Sequence, residues 1–301
     1  MATGIVIVDK PGGMTSQGVV SRLRRIFGQK SVGHGGTLDP MATGVLPVFL
    51  GRATKASSYA LEGDKVYAAR FRFGLTTDTE DITGHVLTTS DALPDRDAVL
   101  AALPRFTGTL AQVPPMVSAI KKDGQRLYDL ARRGIEVERE VRTVTIYEIV
   151  PYADADSPFG PAGEGEYDFR IRCSKGTYIR TLCADIGAAL GCGAAMAALR
   201  RLQTGMFRLD EAYTPDALEE MKNNGTLDSA VLLCDILFRD LPALTLDAEG
   251  EARIRRGAPV YLLKKPGRYR LYDASGGFLG IGQVRETDRR PELMIEKGLI
   301  E

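Results

Sequence analysis

The chain has no tryptophan, only two histidines and only four cysteines among its 301 residues. The cysteines, Cys173, Cys183, Cys192 and Cys234, show no C-x-x-C spacing and have no histidine beside them. That excludes the common zinc patterns and a disulfide framework, and leaves reduced cysteines of a cytoplasmic protein. No cluster of acids or histidines has metal-ligand spacing, so neither a metal nor a cofactor is expected. No apolar run reaches the length of a membrane span. The opening MATGIVIVDKPGG is too short for a signal peptide and carries Asp9; it reads as a first strand. Net charge is also lacking: 39 basic residues balance 39 acidic ones. Overall charge therefore does not draw the chain to a polyanion, but local fields can.

What is present is unevenly distributed. Residues 1–61 carry Lys10, Arg22, Arg24, Arg25, Lys30, Arg52 and Lys55 against Asp9 and Asp39. Residues 170–201 carry six basic side chains, among them Arg180, Arg200 and Arg201, against Asp185, whereas 209–251 is mostly acidic. Each basic run is either a solvated face or a phosphate-binding one.

Hydrophobic periodicity outlines the elements. IVIVDKP (5–11) is a strand ended by a Pro-Gly-Gly turn. Thr15 or Ser16 caps a helix whose apolar residues Val19, Val20, Leu23, Ile26 and Phe27 recur at helical spacing. KVYAARFRFG (65–74) alternates, with Tyr67, Ala69, Phe71 and Phe73 on one face. TTDTEDITG reads as a polar loop, 95–106 as a helix, RTVTIYEIV and YDFRIRC as strands, and 151–166 as an exposed loop. Ile179, Leu182, Ile186 and Leu190 mark a further helix stopped by Gly191. Beyond Pro242 the pattern becomes short strands and turns. The length fits one large domain or a large domain with a small one, with a boundary near residue 238.

Two stretches could carry chemistry. In GHGGTLDPMATG (33–44), Asp39 sits among glycines with His34 nearby. A phosphate-binding loop would end in G-K-[ST], and this run ends in GTLDP. A carboxylate dyad would need a second such motif, and none is present. Two readings of Asp39 stay open: a turn or helix cap before Pro40, or a lone carboxylate acting as nucleophile or base. Met41, Val45, Leu46 and Phe49 read as core. In SKGTYIRT (174–181), Tyr178 and Arg180 stand at a strand-to-helix junction, where an arginine can pair with a buried acid or hold a phosphate.

Together these motifs resemble the TruB family of tRNA pseudouridine synthases, which act on uridine 55 of the T-loop. VDKPGGMTS, GHGGTLDPMATGVLPVFLGRATK, DKVYAARFRFGLTTDTEDITG, QVPPMVSAIKKDGQRLYDLARRGIEVERE, CSKGTYIRTLCADIG and LRRLQTG follow the family's order from about residue 4 to 240. The resemblance implies an α/β (α+β) catalytic domain over 1–237 on a mixed, largely antiparallel sheet, and a β-rich, PUA-like RNA-binding domain over 238–301. It implies that Asp39 is the nucleophile, attacking ribose C1′ or base C6, with the two routes left open. It implies that Arg180 pairs with Asp39, that Tyr67 stacks on the base and takes the C5 proton, that Tyr178 and Leu202 line the base pocket, and that His34 touches the RNA beside an extruded nucleotide. The glycines around Asp39 then let backbone approach that nucleotide closely.

Lys10, Arg22, Arg24, Lys55, Arg200 and Arg201 are the candidates for RNA phosphate contacts. The expected partner is the T-stem-loop of tRNA, bound by a cytoplasmic monomer that can also chaperone tRNA folding. The sequence departs from the family's pattern at Gly35, where many relatives have threonine, and at Val117, where they have an aromatic. The first bears on loop stiffness, the second on a contact in the central segment. Two alternatives compete. One is the guided synthase of a ribonucleoprotein, whose terminal extensions this chain lacks; the other is an RNA-binding or chaperoning protein with a vestigial pocket.

Overall fold

The computed structural model describes every residue except 119, 120, 123, 132, 154, 155, 289, 300 and 301. The first part of the chain contains β1 (Gly4–Lys10), α1 (Ser16–Ile26), β2 (Val32–His34), β3 (Thr43–Leu50), β4 (Lys65–Phe73), a hairpin of β5 (Leu75–Thr77) and β6 (Val86–Thr89), α2 (Arg96–Ala102) and β7 (Gly108–Gln112). There follow the short strands β8 (Lys121–Lys122) and β9 (Gln125–Arg126), α3 (Leu127–Ala131), β10 (Arg142–Pro151), β11 (Glu166–Cys173), α4 (Ile179–Ala189), β12 (Ala194–Thr204), β13 (Phe207–Arg208) and α5 (Pro215–Asn223). The remainder holds β14 (Ala243–Thr245), α6 (Ala248–Arg255), β15 (Val260–Tyr261), β16 (Gly267–Tyr272), β17 (Phe278–Arg285) and β18 (Glu292–Gly298).

The main sheet runs β1-β3-β12-β4-β11-β10-β7, with β2 added to β3 and β13 to β12. Every pairing in it is antiparallel except β3 with β12. Strand β4 lies at its centre, between β11 and β12, and is buried on both faces save for Arg72. The alternation in KVYAARFRFG therefore divides two packed faces rather than core from water. Arg70, on the second of those faces, pairs directly across to Asp168 of β11, Nε to Oδ1 at 2.7 Å.

Helix α1 begins where the sequence placed it: the Thr15 hydroxyl accepts from the Gly18 N–H at 2.9 Å, and Val19, Val20, Leu23 and Ile26 face the core. The helix expected over 95–106 is α2 followed by a 3-10 turn, Leu103–Phe106, which contains Pro104. Val45, Leu46 and Phe49 are fully buried and Met41 partly so, and all four cysteines are free and buried.

The second sheet, β14-β16-β17-β18-β15, spans the C-terminal segment. It packs on the main sheet through a common core in which Phe238, Ile281 and Leu299 join Ile5 and Phe49.

Candidate active site

Three elements converge at the centre of the main sheet. The loop from β2 to β3 carries Asp39, β4 carries Tyr67, and the first turn of α4 carries Arg180. Asp39, Tyr67, Tyr178 and Arg180 line one cleft of about 750 Å³. A second cavity, about 1300 Å³, shares Asp39 with the first and is lined by both histidines, His34 and His85.

Arg180 grips Asp39 side-on: Nε lies 3.0 Å from Oδ2 and Nη2 donates to Oδ1 at 3.3 Å. The Arg180 side chain is only 3% exposed, while that of Asp39 keeps 34% of its surface and lines the cleft. The rest of the fork is occupied by backbone, Nη1 donating to the Thr79 carbonyl and Nη2 to that of Val117, both at 2.8 Å. Asp81, buried, stands 3.8 Å from Arg180 Nε and accepts from the Thr83 N–H and the Thr79 hydroxyl. Burial pushes the Asp39 carboxyl above the ordinary carboxylate range; Arg180 and Lys10 pull it down, and Asp81 adds to the rise.

Burial also raises the Tyr67 phenol, an effect that Arg201 opposes, so Tyr67 is a neutral phenol at pH 7. Tyr178 is held through its backbone: Gln112 donates to its carbonyl at 3.0 Å and accepts from its N–H at 2.8 Å. His34 is pushed towards the neutral form by burial, and its Nδ1 is buried with no hydrogen-bond partner among the described residues.

Several sequence expectations change here. Lys10 is not a surface cation but fully buried, its ammonium donating to the carbonyls of Pro11, Met14 and Pro40. It therefore ties down the turn after Asp39 instead of reaching a phosphate. Burial lowers its pKa to about 8. Arg201 is buried too, at 2% exposure, and donates to backbone carbonyls. Arg22 pairs with Asp216 and Glu219 of α5, and Arg200 with Asp9 at 2.7 Å. Arg24 donates to the Val32 carbonyl while remaining exposed, and Lys55 is exposed.

Leu202 does not line the cleft; β12 presents Leu199 and Arg201 there instead. The ladder to β4 shifts register between Arg201 and Gln203, so Leu202 falls in a bulge. The supposed polar loop TTDTEDITG is in part the β5–β6 hairpin and buries Thr77 and Asp81. Asp81, Leu199 and Gln112 are the residues sequence reasoning missed, although all three lie inside the quoted motifs.

The departure at Gly35 has a local counterpart. A Cβ there would sit 2.8 Å from the Phe49 ring and 3.0 Å from the Ala60 methyl, so the ring fills the space a side chain would take. At Val117 the contact to Arg180 is made by the backbone carbonyl, which a change of side chain leaves in place.

Residues 24–179 match the N-terminal domain of the TruB family pseudouridylate synthases, and residues 180–238 and 242–292 match two C-terminal domains of the same family. The chain belongs to the TruB family. Among TruB relatives, the tRNA pseudouridine synthase B of Saccharophagus degradans is 45% identical over 294 residues, covering 94% of this chain and 92% of its own. That of Azoarcus sp. is 43% identical over 299 residues, covering 97% and 94%. A solved Cbf5–Nop10–Gar1 complex superposes with a TM-score of 0.70 at 25% identity, covering 99% of this chain and 85% of that one. Among the described residues no helix is long and apolar enough to cross a membrane.

Proposed function

We propose that this chain isomerises uridine 55 in the T-loop of tRNA to pseudouridine, with Asp39 as nucleophile. The observation that carries this reading is the Asp39 carboxylate held through both oxygens by Arg180 in a cleft shared with Tyr67. The near-full-length relatives named tRNA pseudouridine synthase B support tRNA as the substrate class.

The reaction has no net change in atoms. The N1–C1′ bond breaks, the base turns, a C5–C1′ bond forms, the C5 proton leaves and N1 takes up a proton. A carboxylate adduct splits this into two easier steps whether it forms at C1′ or at C6. The uridine must first leave its stack to reach the cleft. Arg180 orients both Asp39 oxygens, so attack begins from one fixed geometry. Tyr67 supplies a flat face for the base and a hydroxyl near C5; as a neutral phenol it hands the proton on as it receives it. Tyr178 and Leu199 form the walls, and His34, pushed towards its neutral form, meets RNA from the second cavity.

In this reading the chain works as a monomer in the cytoplasm. Residues 1–237 form the catalytic domain in this reading, and 238–301 a PUA-like RNA-binding domain.

The test is tritium release from a T-stem-loop labelled at uridine C5. The wild type releases label; Asp39→Asn releases none yet binds the RNA with a Kd within about twofold, since one near-isosteric side chain in the cleft is exchanged and no phosphate contact is lost. Release by Asp39→Asn at the wild-type rate refutes the nucleophile. Binding without release by the wild type leaves an RNA-binding or chaperoning protein. Label that is released equally from other positions of the loop refutes the choice of uridine 55.

A further inference from the structure

Arg201 is a cation that the mechanism above does not use. It is the largest fully buried side chain, and among the described residues it forms no ion pair. Its guanidinium points instead at three backbone carbonyls. Nε donates to Val45 at 2.7 Å, Nη1 to Thr37 at 3.4 Å and Nη2 to Gly36 at 3.3 Å. These carbonyls lie on both sides of Asp39: Gly36 and Thr37 enter its loop, and Val45 leaves it.

The backbone of Arg201 is equally well placed. It pairs with Tyr67 of β4 on one side and with Gly44 of β3 on the other. A Cβ at Gly44 would overlap the Arg201 backbone, so glycine is what lets the two strands close at this point. One residue thus touches both ends of the Asp39 loop and stands beside Tyr67, and its side chain lines the same cleft.

We propose that Arg201 is a positioning residue for the chemical step: its guanidinium brackets the Asp39 loop and sets it against Tyr67. The fork geometry matters, because a lysine carries the charge on one point and cannot span both ends of the loop. The charge matters too, since with no carboxylate partner it faces the Tyr67 phenol and opposes the effect of burial there. The proposal rests on the pseudouridylation reading, and the Asp39→Asn result judges that reading separately.

The experiment compares wild type, Arg201→Lys and Arg201→Gln with a C5-tritiated T-stem-loop at saturating enzyme. Single-turnover rate, Kd, the salt dependence of Kd and the thermal midpoint are all measured. We expect Arg201→Lys to slow the rate about ten- to a hundredfold, the scale of an ångström's misplacement. Kd and its salt slope stay as in the wild type. In Arg201→Gln the alkaline limb of the rate profile moves to higher pH as well, while Arg201→Lys leaves it in place; a purely structural role would move neither.

An unchanged rate in a folded variant overturns the proposal. So does a weaker Kd with a salt slope reduced by about 1, which marks a phosphate contact. If neither variant folds, the wild type decides: the Arg201 Nε–H resonance holds its shift as RNA is added if the fork stays on the loop, and a shift towards a phosphate-bound position refutes it.

Discussion

At the scale of single residues, the environment of Asp39 has a consequence for pH. A nucleophilic carboxylate must be ionised, yet burial, with Asp81 adding to it, raises its pKa against the pull of Arg180. The single-turnover rate should fall about tenfold per pH unit below that raised pKa, with its acid limb above the usual carboxylate range. Because the folded pKa exceeds the unfolded one, ionised Asp39 also weakens the fold at neutral pH, and that penalty fades as pH drops through the raised value. Asp81→Asn removes the neighbouring like charge and leaves Arg180 to Asp39 alone. The acid limb should then shift to lower pH, and a pH–rate profile of the variant checks this; a limb that stays put or moves up would show that Asp81 is not felt at Asp39. None of this could be read from TTDTEDITG as a string. The motif supplied the residue, but its burial and its 3.8 Å approach to Arg180 come from the hairpin that folds it inward.

At the scale of elements, α4 is what carries Arg180 to Asp39, and one glycine sets its height over the sheet. A Cβ on Gly187 would collide with the backbone at Gly193 and Ala194, where β12 begins. Gly187→Ala should therefore lift α4, destabilise the protein by about 1–3 kcal/mol as overpacking does, and lower the single-turnover rate because Arg180 moves with the helix. Urea unfolding and rate measured on the same preparation test both halves; a stable variant with a normal rate would refute the packing argument. The helix itself was legible: Ile179, Leu182 and Ile186 repeat at its spacing and are buried. Strand β4 was legible as a strand with two faces, but the packing of both was not, because that follows from β11 and β12 flanking it. Leu202 came only from the resemblance, and a string of letters does not show which side of β12 a residue takes: Leu199 and Arg201 line the cleft, while Leu202 falls at the shift in register between Arg201 and Gln203.

At the scale of the whole molecule, the two sheets share one core through Phe238, Ile281 and Leu299, so RNA meets a single continuous body. Its charge sums to zero, and the sequence alone could not sort cations that hold phosphates from cations that hold the protein together. Burial sorts them. Lys10 and Arg201 serve carbonyls in the interior, Arg22 and Arg200 serve carboxylates, and Lys55 is left exposed beside the core motif. Binding of a T-stem-loop should weaken as salt rises, because each phosphate contact releases counterions. Lys55→Ala should reduce the slope of log K against log salt by about 1 and leave the thermal midpoint alone. Lys10→Met should do the reverse: the slope stays, while the loss of an ammonium shared by three carbonyls costs about 2 kcal/mol or more and lowers the midpoint by several degrees. Measuring slope and midpoint for both variants separates the two kinds of cation. A Lys10→Met variant with a shallower slope and an unchanged midpoint would return Lys10 to the RNA surface, against its burial.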